Sequence, residues 1–173
     1  TAWTIGRVFE FVGEAQSPVV NPGNLDGILK TLVEKLQDKP LVAGKVCYAL
    51  LRLATSCANE DEQNPMRLAL APYFQGIVQS LLQTSERPDA VQGLLCGTLQ
   101  TIVQKLSGED ATKMMILQFS DQIMQMLLRV LGARSATVHE EAMLCVGALA
   151  YATGEQFEKY MQALYPFIEV GLK

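Results

Sequence analysis

Pro40-Leu41-Val42-Ala43-Gly44-Lys45-Val46-Cys47-Tyr48-Ala49-Leu50-Leu51-Arg52-Leu53-Ala54 decides the fold. Val42, Val46, Ala49, Leu50 and Leu53 recur at the i, i+4, i+7, i+8, i+11 spacing of a helix with one buried stripe. Pro40 stands where a helix begins, because a first-turn N–H needs no partner. The opposite face carries Gly44, Tyr48, Arg52 and Thr55, with Tyr48 as its one large aromatic. Such a helix cannot bury its stripe alone, so the rest of the chain has to supply the cover.

The cover is more of the same. Cys47 lies in Val-Cys-Tyr-Ala-Leu, Cys96 in Leu-Leu-Cys-Gly-Thr-Leu and Cys145 in Met-Leu-Cys-Val-Gly-Ala-Leu, and both intervals, 47 to 96 and 96 to 145, are 49 residues. Ala2-Trp3-Thr4-Ile5-Gly6-Arg7-Val8-Phe9 reads as a fourth copy without cysteine. Helices of a second type are expected between them, at 25–36, 71–82, 119–131 and 157–172. Two helix types alternating at roughly 40–47 residues are the mark of HEAT repeats. The expected fold is all-α: a right-handed superhelical HEAT-repeat solenoid of antiparallel helix pairs. Residues 1–173 would form one array of about four repeats, partial at both ends.

Composition agrees with that class. The 173 residues are 49% hydrophobic and 18% charged, enough apolar material for a continuous core. No sustained period-two alternation speaks for strands, and the Asp-Gly pair, Asp26-Gly27, falls within the helix expected at 25–36 rather than between two strand-like runs. A net charge of −4 without a Lys/Arg run argues against nucleic acid. The apolar runs are too short to span a bilayer. The chain shows no signal peptide and starts inside a helix, so its native N-terminus is expected to be absent. Of the four cysteines, three sit on core stripes and none forms a C-x-x-C pair, so zinc is not expected and a reducing compartment is. No phosphate loop, nucleophile elbow or cofactor motif occurs, and His139, the only histidine, has no activated nucleophile beside it. The chain reads as non-enzymatic.

Local signals set further expectations. Asn24 or Asp26 would cap the helix at 25–36, and Gln37-Asp38-Lys39 would form a short turn into the helix at Pro40. Asn59 to Pro65 reads as an acidic surface linker, either simply solvated or adding pull on a basic ligand. Residues 111–116 are a short helix or the start of the next one. Thr137-Val138-His139-Glu140 fits a capping box, Gly154 ends that helix, and Pro166 marks a kink or a new start.

Several stretches, in order, resemble the importin-β (karyopherin-β) family of nuclear transport receptors. They are Thr1-Ala2-Trp3-Thr4-Ile5-Gly6-Arg7, Val46-Cys47-Tyr48-Ala49, Glu86-Arg87-Pro88-Asp89, Leu94-Leu95-Cys96-Gly97-Thr98-Leu99-Gln100, and Phe157 through Phe167. The resemblance covers nearly the whole chain, as a central fragment of a longer receptor. It implies that the repeats used for the principal Ran GTPase contacts, and the acidic loop after them, are not included. The family carries roughly sixty more residues between its counterparts of Asp89 and Leu94, near one repeat in length, so a segment is missing near 90–91.

The resemblance also implies a function. Inner helices would line a concave face that grips the basic importin-β-binding helix of importin α, or basic cargo, for import through the nuclear pore, with release driven by Ran-GTP. Trp3 matches one tryptophan that contacts that helix, and Tyr48 takes the place of another. Glu140 and Glu141 match acidic positions, and Glu10 is a further candidate on the groove; Arg52 should repel a basic ligand. Phe-Gly nucleoporins would bind between outer helices, with Met124, Leu128, Tyr160 and Leu164 as candidates. Residence in cytoplasm, nucleus and nuclear envelope follows from the same likeness. The alternative is a HEAT-repeat scaffold of a non-transport complex, which predicts mixed charge along the inner face. The bland roles are core packing for Trp3 and Tyr48, and helix N-terminal stabilisation for Glu140 and Glu141.

Overall fold

The computed structural model describes residues 1–15, 22–57, 70–87, 91–108, 110–133 and 136–171. The acidic linker expected at 59–65 and the junction before Val91 lie outside them. Among the described residues all regular structure is helical: α1 (Ala2–Ala15), α2 (Pro22–Lys35), α3 (Pro40–Cys57), α4 (Phe74–Ser85), α5 (Gln92–Leu106), α6 (Asp110–Leu131), α7 (Ala136–Thr153) and α8 (Met161–Gly171). Two 3₁₀ segments, Ala71–Tyr73 and Gly154–Tyr160, lead into α4 and α8. No described helix is long and apolar enough to cross a membrane.

α3 starts at Pro40, as its sequence predicts. The Asp38 carboxylate accepts the Lys39 N–H at 2.8 Å, and the Lys39 carbonyl takes the N–H groups of Val42 and Ala43 at 2.8 and 2.9 Å. α1 packs on α3, α3 on α5 and α5 on α7, so the odd-numbered helices form one row. α2, α4, α6 and α8 form the second row, with α2, α4 and α6 each packed on the following helix of the first. This is the all-α HEAT-repeat solenoid the spacing calls for. A single core runs from Phe9 to Leu164.

A helix inside a row is covered on three sides rather than one. Val46, Cys47, Ala49, Leu50 and Leu53 are buried as expected and Val42 only partly, but Ala43 and Ala54 are buried too. Each fully buried Leu or Val side chain stabilises by roughly 1.5–3 kcal/mol. Close approach within the row depends on Gly6: a methyl there would lie 2.6 Å from the Tyr48 ring and 3.2 Å from the Ala49 Cα. Gly6→Val is therefore expected to lower stability by about 1–3 kcal/mol by overpacking, measured by urea unfolding. A neutral or stabilising result would mean that the two helices separate freely.

The even-numbered row is tied together by side chains that cap the preceding helix. Thr84 donates to the Leu36 carbonyl (3.4 Å), Gln37 donates to the Thr84 hydroxyl (3.1 Å), and Arg87 donates to the Asp38 carbonyl (2.6 Å). One repeat later Arg129 of α6 donates to the Ser85 hydroxyl at 2.9 Å. The bonds to Leu36 and Asp38 satisfy carbonyls at the end of α2 that have no partner within their own helix, while Arg129 binds a Ser85 hydroxyl that itself donates to the Leu82 carbonyl.

Three boundaries differ from the sequence expectation, and a fourth settles a choice it left open. α2 begins at Pro22, with proline in the first turn, so Asn24 and Asp26 sit inside it, and Asp26 instead pairs with Lys30 at 2.8 Å. Residues 111–116 are the start of the next helix, the second of the two readings: α6 runs unbroken from Asp110, because Thr112 and Ile116 are already buried on the face that Phe119 and Ile123 continue. α7 has begun at Ala136, one residue ahead of the Thr137 expected to cap it, and the His139 ring meets the Ala133 carbonyl at 2.5 Å. Gly154, at φ +56°, ends α7, but Phe157 to Tyr160 are 3₁₀ and the α-helix starts only at Met161, running through Pro166.

Candidate functional site

The outward side of the odd-numbered row is where the expected site residues are to be found. On α1, Trp3, Arg7 and Glu10 follow the i, i+4, i+7 spacing of one stripe, and Trp3 is 53% exposed. On α3, Tyr48 and Arg52 stand one turn apart and reach across to that stripe. The Tyr48 hydroxyl donates to Glu10 Oε2 at 2.9 Å, Arg7 donates to the same oxygen at 2.5 Å, and Arg52 Nη2 lies 3.3 Å from Glu10 Oε1. The Arg52 guanidinium also sits 5.3 Å from the centroid of the Tyr48 ring. The hydrogen bond from Tyr48 is the largest influence on the Glu10 carboxyl; with the lesser pull of the Arg52 and Arg7 charges it outweighs desolvation and holds the pKa below its ordinary value. Glu10 and Tyr48 are thus joined directly, while Trp3 stands exposed two turns before Glu10 on the same stripe of α1.

The two remaining acidic residues lie elsewhere, on α7. Glu140 is exposed. Glu141 is half-buried over two glycines of α5: a methyl on Gly97 would meet its Oε2 at 3.1 Å, and one on Gly93 its Cγ at 4.0 Å. Two helices, α3 and α5, separate this pair from the Trp3 stripe. Burial, and secondarily the Glu141 charge, push the Cys96 thiol up to about 12.

The four outer-row candidates fare differently. Met124, Tyr160 and Leu164 are buried in the core and Leu128 is half-buried against it. The surface role expected of them is not what their positions support, because their stripe is the face that closes the helix pair. The Tyr160 hydroxyl bonds Ser120 at 3.0 Å and Asp121 at 2.5 Å.

Sequence reasoning passed over Leu144 and Tyr151, which stand 51% and 76% exposed on the outward stripe of α7 with Glu140 and Gly147. α7 is apolar nearly all round, so its periodicity names no face. The missed signal lay in neighbouring helices: once α5 and α6 are placed against α7, Glu140, Leu144, Gly147 and Tyr151 are the side left over.

Paired helices in two rows, with one side of a row left open, define a helical-repeat solenoid; no group of metal-ligating side chains gathers among the described residues. The profile of the family described as "Importin subunit beta-1-like, TPR repeats" matches residues 27–94 and 89–173, and the chain belongs to that family. The 49 residues from Cys96 to Cys145 are nearer a HEAT pair than the roughly 34 residues of a TPR unit. Importin subunit beta-1 of Arabidopsis thaliana is 36% identical over 233 residues, taking in 100% of this chain and 26% of the relative. Importin subunit beta-1 of Schizosaccharomyces pombe is 27% identical over 150 residues, 83% of this chain and 15% of the relative. That of Saccharomyces cerevisiae is 22% identical over 222 residues, 97% of this chain and 25% of the relative. The chain thus spans about a quarter or less of the length of these relatives.

Proposed function

We propose that this chain is part of a nuclear transport receptor and that the outward face of α1, α3, α5 and α7 takes a basic, helical import signal. The observation that carries the reading is the Tyr48–Glu10 hydrogen bond on that face, with Trp3 exposed on the same stripe of α1 as Glu10 and Glu140 exposed further along the row. Trp3 would stack on aliphatic stems and guanidinium groups, and the carboxylates would pair with Arg and Lys. Importin α, through its importin-β-binding segment, or a basic cargo is the partner we infer, with Ran-GTP as the releasing factor and Phe-Gly nucleoporins as pore contacts of the whole receptor. Shuttling between cytoplasm and nucleus goes with that role. We also propose that 1–173 is one array from which a segment near one repeat long is missing at 90–91. The Arabidopsis alignment supports this: it covers 233 positions against the 173 residues here, so some sixty positions of that relative (233 less 173) have no counterpart.

The second reading, a scaffold of another complex, has one observation in its favour. Arg7, Lys45 and Arg52 share the face with Glu10, so charge there is mixed. Binding separates the two. A fluorescent peptide of the importin-α basic segment is titrated with the chain at about 50 and about 300 mM salt, where screening of exposed charges differs strongly. Salt-sensitive binding is expected. Trp3→Ala together with Glu140→Gln and Glu141→Gln should weaken it by about tenfold or more, or about 1.4 kcal/mol. No binding at low salt, or an unchanged triple variant, would reject this site and leave the scaffold reading.

A further inference from the structure

The geometry points to Arg52 as a built-in occupant of the Tyr48–Glu10 subsite, one that an incoming arginine has to displace. The inference rests on the proposed recognition of a basic helix. It concerns a contact internal to this chain.

A guanidinium from a ligand would be held there in two ways: over the Tyr48 ring, and against the Glu10 carboxylate. Arg52 already has both contacts, 5.3 Å from the ring centroid and 3.3 Å from Glu10 Oε1. The other carboxylate oxygen, Oε2, is shared by Arg7 and the Tyr48 hydroxyl, so no Glu10 oxygen is left without a partner. The subsite is therefore complete without a ligand. Its charge is already more than balanced, with two arginines on one carboxylate.

Arg52 is nonetheless held unevenly. Its Nη2 faces Glu10, but its Nε is buried with no hydrogen-bond partner among the described residues. A buried donor left unmade lowers the stability of the seated rotamer. The side chain is 36% exposed, so it has a path outward to water, where that donor regains partners. Two states follow: Arg52 seated with the subsite closed, and Arg52 swung out with the ring and carboxylate available. A ligand that binds only the second state has its apparent affinity reduced by the fraction of time that state is populated.

The test removes the guanidinium and keeps the stem. The probe is the fluorescent importin-α basic peptide, titrated against the 173-residue chain at low salt. Arg52→Met is expected to bind it about five- to tenfold tighter. Lys45→Met removes the same charge from the same outward stripe, one turn before Tyr48 on the side opposite Arg52 and with no contact to Glu10, and is expected to give about twofold or less. Adding Tyr48→Ala should abolish the excess gain from Arg52→Met, because the vacated ring is what the ligand uses. Should Arg52→Met fail to fold, Arg52→Lys keeps the charge, gives up the planar stack, and is expected to keep part of the gain. Equal effects of Arg52→Met and Lys45→Met, or weaker binding by both Arg52 variants, would overturn the inference while the proposed function stands. A wild-type chain and variants that all ignore the peptide would sink both.

Discussion

Phe74→Ala is expected to destabilise the chain by about 3–5 kcal/mol, a large part of what a domain of this size possesses. Phe74 opens α4, is fully buried, and meets Phe119 of α6 edge-on, with ring centroids 6.0 Å apart and planes at 77°. Removing it opens a cavity between two neighbouring helices of the even-numbered row and also breaks an aromatic pair, worth about 0.5–1.5 kcal/mol beyond its area. In a solenoid each unit touches only its neighbours, so the loss falls on one interface and no distant contact compensates. Phe74→Leu keeps most of the volume and should lose less than about 1.5 kcal/mol. Tyr165→Ala, at a ring 64% exposed on α8, should stay within about 0.5 kcal/mol of the parent. Urea unfolding followed by circular dichroism reads all three. A loss below about 1 kcal/mol for Phe74→Ala would show that α4 and α6 close over the gap.

Raising the pH from 8 to 10 is expected to remove about 4 kcal/mol more. Cys47, Cys96 and Cys145 are free buried thiols, and burial pushes the first two from 9.0 up to about 12 and the third well above its ordinary value. The folded state then keeps these protons when the unfolded state gives them up. Stability is full below the unfolded value of 9.0, falls as the pH climbs past it, and stops falling only beyond the folded values. Each thiol contributes roughly 1.4 kcal/mol per pH unit across that window, and three together give the figure above. Urea midpoints at pH 8, 9 and 10 check it. Cys47→Ala, Cys96→Ala and Cys145→Ala should each remove about a third of the slope, whatever their effect at pH 8. If the triple variant keeps the full slope, other groups are responsible.

The solenoid was legible because its information is repeated. The stripe of α3, its start at Pro40 and the even spacing of the three cysteines each predict a buried helix, and each is found. What one helix's periodicity does not carry is how many sides its neighbours cover. Gly44 was read as lying on the uncovered side of α3 and is buried, with Leu94 of α5 placed 3.3 Å from where a methyl would stand. Met124 and Leu164 look the same in sequence whether they seal a helix pair or line a groove; only the packed partner decides. Glu10 was a candidate for the groove from sequence, and it lies on the outward stripe of α1. That Tyr48, Arg7 and Arg52 would all converge on it depends on α1 and α3 meeting at Gly6, which local spacing does not encode.

The capping contacts of the even-numbered row also set an order of events. The carbonyls of Leu36 and Asp38 receive their partners from Thr84 and Arg87, which leave the ribosome nearly fifty residues later. A nascent chain carrying only the first helix pair therefore has an unfinished end, and translation of α4 is what completes it. A unit at the tip of a growing array is thus the least bonded part, because the contacts that finish it belong to the unit made next.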